Sequence, residues 1–155
     1  MGSGTLTNEL LDTFHFSCNA ASASAFVQQR CKIKPEAFED IFKGFSKHIS
    51  SGFKEDMRIL AIDGSDIQIA TNSDDPGSYF QGSNGQKPYN LLHLNVLYDL
   101  NHHIYSDAII QKRKEGSEYG ALADMVDRSD IPKALIIADR GYESYNIMAH
   151  IQDQL

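Results

Sequence analysis

Two short apolar runs, each ending in an acidic residue close to a glycine, constrain the fold of this chain more than any other feature. The later run, residues 135–138, leads into Asp139 and then Gly141. The earlier run, residues 59–62, leads into Asp63-Gly64. Runs of this length are typical of strands, and an aspartate at the end of each predicts a shared metal site, because a divalent ion needs converging oxygen ligands.

The charge of the chain argues against a simple nucleic-acid-binding module. The net charge is -7, and residues 58–155 hold most of the deficit, with 14 acidic and 8 basic side chains. An acidic surface repels phosphate groups unless metal ions lie between them. This composition is still compatible with a metal-dependent nuclease.

Length and hydropathy favour an ordinary cytoplasmic domain. At 155 residues the chain is long enough to bury a core. Its apolar runs are far shorter than the roughly 20 residues that cross a bilayer, and its start lacks the features of a secretory signal. We expect no membrane association, and we expect Cys18 and Cys31 to be buried or half-buried thiols rather than a disulfide.

The first part of the chain, residues 1–52, favours helices. Residues 6–16 and 22–33 are helix-prone, with Ser22 or Ser24 as a cap. A third helix follows Pro35, and its apolar residues recur at the spacing of one buried face: Phe38, Ile41, Phe42, Phe45 and Ile49. Basic residues around these helices indicate either a small DNA contact or solvated outer faces, and the acidic residues among them favour the second interpretation.

Residues 53–155 favour a mixed α/β domain. The pattern predicts strands at 59–69, 91–100, 104–111 and 134–138, an exposed loop at 71–88, a turn at 101–103, and helices at 117–128 and 142–155. A right-handed crossover would place the 134–138 strand parallel to the 59–69 strand. Asp63 and Asp139 would then be neighbours at the edge where α/β sheets bind ligands.

Several blocks of this sequence resemble the transposases of bacterial insertion sequences, most closely the insertion-sequence-four family. They are Asp63-Gly64-Ser65-Asp66, the run Leu92-His93-Leu94-Asn95-Val96-Leu97-Tyr98-Asp99, and the run Asp139-Arg140-Gly141-Tyr142-Glu143-Ser144-Tyr145-Asn146. Residues 22–30 and 32–38 extend the similarity into the helical front.

The resemblance implies a ribonuclease-H-like mixed sheet with flanking helices, preceded by a small helical region. It also implies a DDE transposase, which cleaves and transfers DNA strands with two divalent metals, Mg²⁺ or Mn²⁺, held by two aspartates and a glutamate. Asp63 matches the first aspartate and Asp139 the second, as catalytic residues and metal ligands. The implied partners are transposon ends, target DNA and a second copy of the chain.

The sequence departs from this family at the third acid. In the family that glutamate lies on a later helix, and the 155 residues contain no match to it. Glu143 lies inside the second motif, where the family does not place the ligand. We therefore expect an amino-terminal part that lacks the carboxyl-terminal part of its catalytic domain and is inactive alone; the alternative is a non-catalytic DNA-binding or regulatory fragment that associates with the full-length enzyme.

Other polar residues leave alternatives open. Asp66 either supports the metal ligands or marks an outward strand face, and Arg140 either contacts a DNA phosphate or pairs with Asp139. His102 and His103 are more typical of an exposed turn than of a metal site. Asp99 and Asp107 either approach the metal site or form a charged sheet edge, and the second interpretation is the simpler one. The basic run Lys112-Arg113-Lys114 is either a phosphate contact or a solvated connector.

Overall fold

In a computed structural model of the chain, the described residues are 4–50, 52 and 57–154. The chain divides into two compact units, Met1–Phe42 and Lys43–Leu155. The domain boundary expected after residue 52 stays a prediction, since Ser51 and residues 53–56 around it lie outside the described residues.

The first unit holds helices α1 (Leu6–Thr13) and α2 (Ala23–Arg30) and the start of α3 (Glu36–Ser50). The predicted cap is confirmed at Ser22, whose side chain accepts the N–H of Ala25 at 3.2 Å. Both predicted helices are shorter than expected. In α1 the cause is local: His15 and Phe16 adopt φ angles of 51° and 56°, which a right-handed helix cannot continue through.

Two burial predictions for the helical front are wrong. Cys18 and Cys31 are free and exposed, because they lie in turns outside the helices and α2 itself buries no residue. The expected buried face of α3 is only partly covered: Phe38, Ile41 and Phe45 are 61%, 69% and 62% exposed, while Phe42 and Ile49 are half-buried. Helical periodicity predicts the helix correctly, but burial also needs a second surface to cover the apolar face.

The second unit is built on a five-stranded mixed sheet, which confirms the predicted ribonuclease-H-like fold class. Its strands are β1 (Arg58–Ile69), β2 (Tyr79–Phe80), β3 (Tyr89–Asp99), β4 (Ile104–Lys112) and β5 (Ala134–Ile137). β3 pairs antiparallel with β1 on one edge and with β4 and β2 along the other. β1 also pairs with β5, and this pairing is parallel, as the crossover rule predicts.

The loop expected at 71–88 is only partly a loop. It contains β2, and Gly77 and Ser78 just before that strand are buried. The Ser78 hydroxyl donates to Asp75 at 2.7 Å and accepts from the side-chain amide of Asn90 at 2.8 Å. These bonds tie the segment to β3, which composition alone does not reveal.

Helices α4 (Glu118–Asp127) and α5 (Tyr145–Gln154) complete this unit. The predicted inner face of α4 is confirmed, and it forms the core with sheet residues and Tyr142: Ala121, Leu122, Met125 and Val126 with Leu60, Ile62 and Leu97. The segment expected to be helical from Tyr142 onward begins instead with a short 3₁₀ turn (Arg140–Tyr142). Its predicted end, Leu155, lies outside the described residues.

The expectation that β5 is buried in the sheet is wrong for half of its residues. Leu135 and Ile137 are 51% and 47% exposed, whereas Ala134 and Ile136 pack against the core. β5 is an edge strand, and only one of its faces is covered by the core. No helix among the described residues is long and apolar enough to span a membrane.

Candidate metal centre

Asp63 and Asp139 occupy equivalent positions on the two parallel strands. The β1–β5 pairing runs from Arg58↔Ala134 to Ala61↔Ile137. Each aspartate comes two residues beyond that last pair, where β5 has ended and β1 continues alongside β3. Both residues are exposed at this point, as a site open to a large substrate requires.

The backbone after each aspartate orients its carboxylate. Oδ1 of Asp63 accepts the N–H of Gly64 at 2.9 Å, and Oδ1 of Asp139 accepts the N–H of Gly141 at 2.7 Å. The second bond caps the 3₁₀ turn that follows β5. A carboxylate restrained in this way loses less conformational entropy when it binds a ligand.

Tyr142, in the motif that begins at Asp139, is affected by the charges of both aspartates. Its side chain is buried, and its hydroxyl donates to Oδ1 of Asn95 at 3.3 Å. Burial, followed by the negative charges of Glu118, Asp63 and Asp139, raises the pKa of Tyr142 to about 12. The charges of Asp63 on β1, Glu118 on α4 and Asp139 after β5 therefore all act on one phenol.

The donor set suits a hard divalent cation. Carboxylate oxygens are the ligands that Mg²⁺ and Mn²⁺ prefer, and both aspartates are open to solvent. Among the described residues, no three His, Cys, Asp or Glu side chains already stand in a metal-binding arrangement. The two aspartates fit such an ion as a partial ligand set, which a further ligand would complete.

A family model described as a transposase DDE domain matches residues 54–155, more than half of the chain. The chain belongs to this family. No curated protein sequence matches it significantly. The matched region includes all five strands, both aspartates and the helices α4 and α5.

Asp66 of this DDE domain is tied to its neighbours. Its carboxylate lies 2.6 Å from Nδ1 of His93 and 2.8 Å from Nε of Arg113. Burial acts to raise the pKa of Asp66, but the hydrogen bonds with His93 and Arg113 lower it below its ordinary value. Asp66 therefore orients His93, a residue that the sequence did not single out.

Arg140 is exposed at the start of the 3₁₀ turn. In the part of the chain that the structure describes, it forms no ion pair with Asp139. A contact of Arg140 with a DNA phosphate stays a prediction.

The basic run before α4 is largely occupied by protein contacts. Lys112 pairs with Asp75 at 2.7 Å and Arg113 with Asp66, while the ammonium of Lys114 lies 4.9 Å from the centre of the Phe80 ring. A role as a solvated connector fits these contacts better than a role as a phosphate clamp.

Asp99 is a buried cap rather than a charged edge, so that prediction is wrong. Its Oδ1 accepts the N–H groups of Asn101 and His102 at 2.8 and 3.0 Å, and its other oxygen pairs with Arg58 and His102. These bonds hold the β3–β4 turn, which explains a buried charge at this position. Asp107 pairs with Arg128 at 2.6 Å.

Sequence reasoning assigned no role to His93, Asn95 and Tyr142, although they lie in the blocks that resemble transposases, and it missed Glu118 altogether. His93 and Asn95 are two residues apart on β3, so they share a face, and both side chains are buried. Polar residues at the buried positions of a strand are unusual, and this pattern in the sequence could have indicated a functional site. Glu118 follows a helix cap, where an acidic residue is common for reasons of helix stability alone. Only the packing of α4 against the sheet shows where it lies.

Proposed function

We propose that this chain acts in DNA strand cleavage and transfer as a DDE transposase of the insertion-sequence-four type, with Asp63 and Asp139 as ligands of divalent metal ions. The observation that supports the proposal is the placement of both carboxylates two residues beyond the last pair of the parallel β1–β5 ladder, where both raise the pKa of the buried Tyr142. DDE transposase domains generally use divalent metals. Mg²⁺ and Mn²⁺ are the ions that this donor set favours.

In this function the protein supplies charge and position. Bound divalent ions would activate the attacking oxygen and offset the charge of the scissile phosphate. Asp63 and Asp139 would hold those ions, and the N–H groups of Gly64 and Gly141 orient the two carboxylates. Phosphoryl transfer depends mainly on such placement, so few further side chains are needed.

The acidic charge of the domain makes DNA binding depend on the metal. Residues 58–155 carry 14 acidic and 8 basic side chains, so a phosphate backbone is repelled unless cations intervene. Arg140 is an exposed cation beside Asp139 and is the residue we assign to a DNA phosphate. The helical front, residues 1–52, is a second candidate for DNA contact.

Pairing of two transposon ends calls for two copies of the chain, so the proposal includes a homo-oligomer acting on DNA in the cytoplasm. The non-catalytic alternative, a DNA-binding or regulatory fragment, predicts DNA binding that does not involve the two aspartates. That difference allows a direct test.

The test is binding of a fluorescently labelled DNA duplex, followed by anisotropy, with and without Ca²⁺, an ion that occupies oxygen sites. We expect Ca²⁺ to strengthen binding, and we expect the combined Asp63→Asn and Asp139→Asn variant to lose that gain. The exposed Asp153→Asn on α5 removes the same kind of charge away from the site and should leave it intact. A cation effect that persists in the double variant would contradict the proposal.

A further inference from the structure

A cavity of about 550 Å³ lies at the start of β1, away from the candidate metal centre. It is lined by the second half of α3, by β1, β3 and β4, and by the end of α4 with the segment that follows, all within the second unit. Arg58 lines the cavity, and Asp63 lies five residues further along β1, about 17 Å away at the rise of a strand. Small-molecule sites typically have volumes of about 300–1,000 Å³, so this cavity is large enough for one.

The lining of this cavity is positively charged, although the domain as a whole is acidic. Its described residues include four cations and two carboxylates: Lys43, Lys47, Arg58, Arg128, Asp107 and Asp130. Residues 58–155 carry 14 acidic and 8 basic side chains. A recess with a local excess of positive charge attracts an anion.

Two of these cations are held in place by ion pairs. Nε of Arg128 lies 2.6 Å from the carboxylate of Asp107. Arg58 pairs with Asp99 and donates from Nη2 to the hydroxyl oxygen of Ser106 at 3.1 Å. Asp99 is fully buried and is not among the lining residues, so the positive charge of Arg58 faces the cavity without a carboxylate of the lining beside it.

The other two cations belong to α3. Lys43 and Lys47 are four residues apart, so they are neighbours on one face of the helix, and both are exposed. Lys47 contacts Asp130 at 3.3 Å, but these side chains are 80% and 85% exposed. Such an exposed pair contributes little free energy, so its ammonium group can contact an anionic ligand at low cost.

Part of the lining is apolar. It includes the core residues Leu97 and Met125, which are 2% and 1% exposed, together with Ile131 and Pro132. A hydrated inorganic ion would leave this apolar surface in contact with water. A ligand that joins a charged group to an apolar body would cover it, and burying apolar surface is favourable.

We propose that this cavity binds an organic anion, a carboxylate, sulfonate or phosphate monoester with an apolar body. Its charged group would contact Lys43 and Lys47, and its body would lie against Leu97 and Met125. The inference goes beyond the proposed function, because it involves neither the two aspartates nor a metal ion.

The test is a fluorescence titration of the whole chain with anilinonaphthalene sulfonate, which joins an apolar ring system to one negative charge and fluoresces when it leaves water. Phenylnaphthylamine has the same rings without the sulfonate and is the matched probe. We expect the sulfonate to bind about tenfold more tightly than the uncharged probe, because only the sulfonate meets the cations. Equal affinity for the two probes would overturn the proposal.

Three variants locate the binding. We expect Lys43→Gln combined with Lys47→Gln to weaken sulfonate binding about tenfold and to leave the uncharged probe unchanged. Lys34→Gln combined with Lys87→Gln removes the same charge from exposed positions outside the lining and should bind as wild type. Ser50→Trp places a large ring at a half-buried lining position and should weaken both probes. Equal losses in the two lysine pairs, or an affinity that none of the variants changes, would overturn the proposal.

Hydrogen exchange of the wild-type chain locates the dye without a substitution. We expect the sulfonate to slow exchange of the backbone amides in residues 43–50 and 128–132, which contain most of the lining residues. Protection elsewhere, with none in these two segments, would place the dye on other exposed apolar surface. That result would overturn the proposal even if Ser50→Trp failed to fold.

Discussion

At the scale of single residues, the buried pair of Arg58 and Asp99 is the clearest test of stability. Arg58 is 8% exposed and Asp99 is 0% exposed, and Arg58 also donates to Ser106 at 3.1 Å. Asp99→Asn would remove the buried carboxylate that pairs with Arg58, and breaking such a buried pair costs about 3 kcal/mol of unfolding free energy. Urea denaturation measures this loss.

Lys47→Ala is the matched control for that pair. Lys47 and Asp130 also form an ion pair, at 3.3 Å, but their side chains are 80% and 85% exposed. An exposed pair contributes less than about 1 kcal/mol. Equal losses in Asp99→Asn and Lys47→Ala would contradict the account of a buried cap.

The same aspartate predicts a pH dependence. Burial acts to raise the pKa of Asp99, but hydrogen bonds from His102 and Arg58 lower it below the ordinary value of 3.8. A carboxyl with a lower pKa in the folded state stabilises the fold above its unfolded pKa, and this stability is lost as the pH falls through the folded value. Below about pH 4, wild type should therefore lose stability more steeply than Asp99→Asn; parallel curves would count against this.

Individual residues of the site could be predicted only where the sequence marks them locally. Asp63 and Asp139 each end an apolar run beside a glycine, so the pattern alone singles them out. Glu118 and His93 carry no such mark, because their significance comes from neighbours distant in the chain: Asp66 for His93, and the turn after β5 for Glu118.

At the scale of elements, the close approach of β1 to β3 predicts that Gly64 tolerates no side chain. A Cβ on Gly64 would lie 2.7 Å from Nε2 and 3.0 Å from Cε1 of His93, a buried ring that cannot easily move. Gly64→Ala should lower the unfolding free energy by about 1–3 kcal/mol through overpacking. Thermal or urea denaturation would measure the change.

Gly44→Ala is the control for that substitution. Gly44 lies inside α3, and a Cβ there would meet nothing within 4 Å. Alanine is a better helix former, so this variant should gain about 0.5–1 kcal/mol. If both variants changed stability in the same direction, steric contact with His93 would not be the cause.

Periodicity predicted the elements better than their surroundings. The inner face of α4 is buried as its spacing indicates, because the sheet lies against it. The same kind of spacing on α3 gives an exposed row at Phe38, Ile41 and Phe45. The pattern of a helix specifies which side chains share a face, and only the tertiary structure decides whether that face is covered.

At the scale of the whole molecule, the order of strands and helices carried most of the fold prediction. A set of antiparallel strands followed by a crossover helix and a short apolar strand is compatible with few sheet topologies. The rule that crossovers are right-handed selects the topology in which β1 and β5 pair in parallel, and the structure has this pairing. The order of the elements does not predict how deeply each residue is buried, as the exposed Leu135 and Ile137 of β5 show.

The central claim is that Asp63 and Asp139 hold one shared metal site, and a double-mutant cycle of Mn²⁺ binding tests it most directly. The titration compares wild type, Asp63→Asn, Asp139→Asn and the combined variant, with Asp153→Asn as a control for charge. If the site is shared, each single variant loses most of the affinity, the combined variant loses little more, and the coupling exceeds about 1 kcal/mol. Losses that simply add, or binding that neither substitution changes, would contradict the claim.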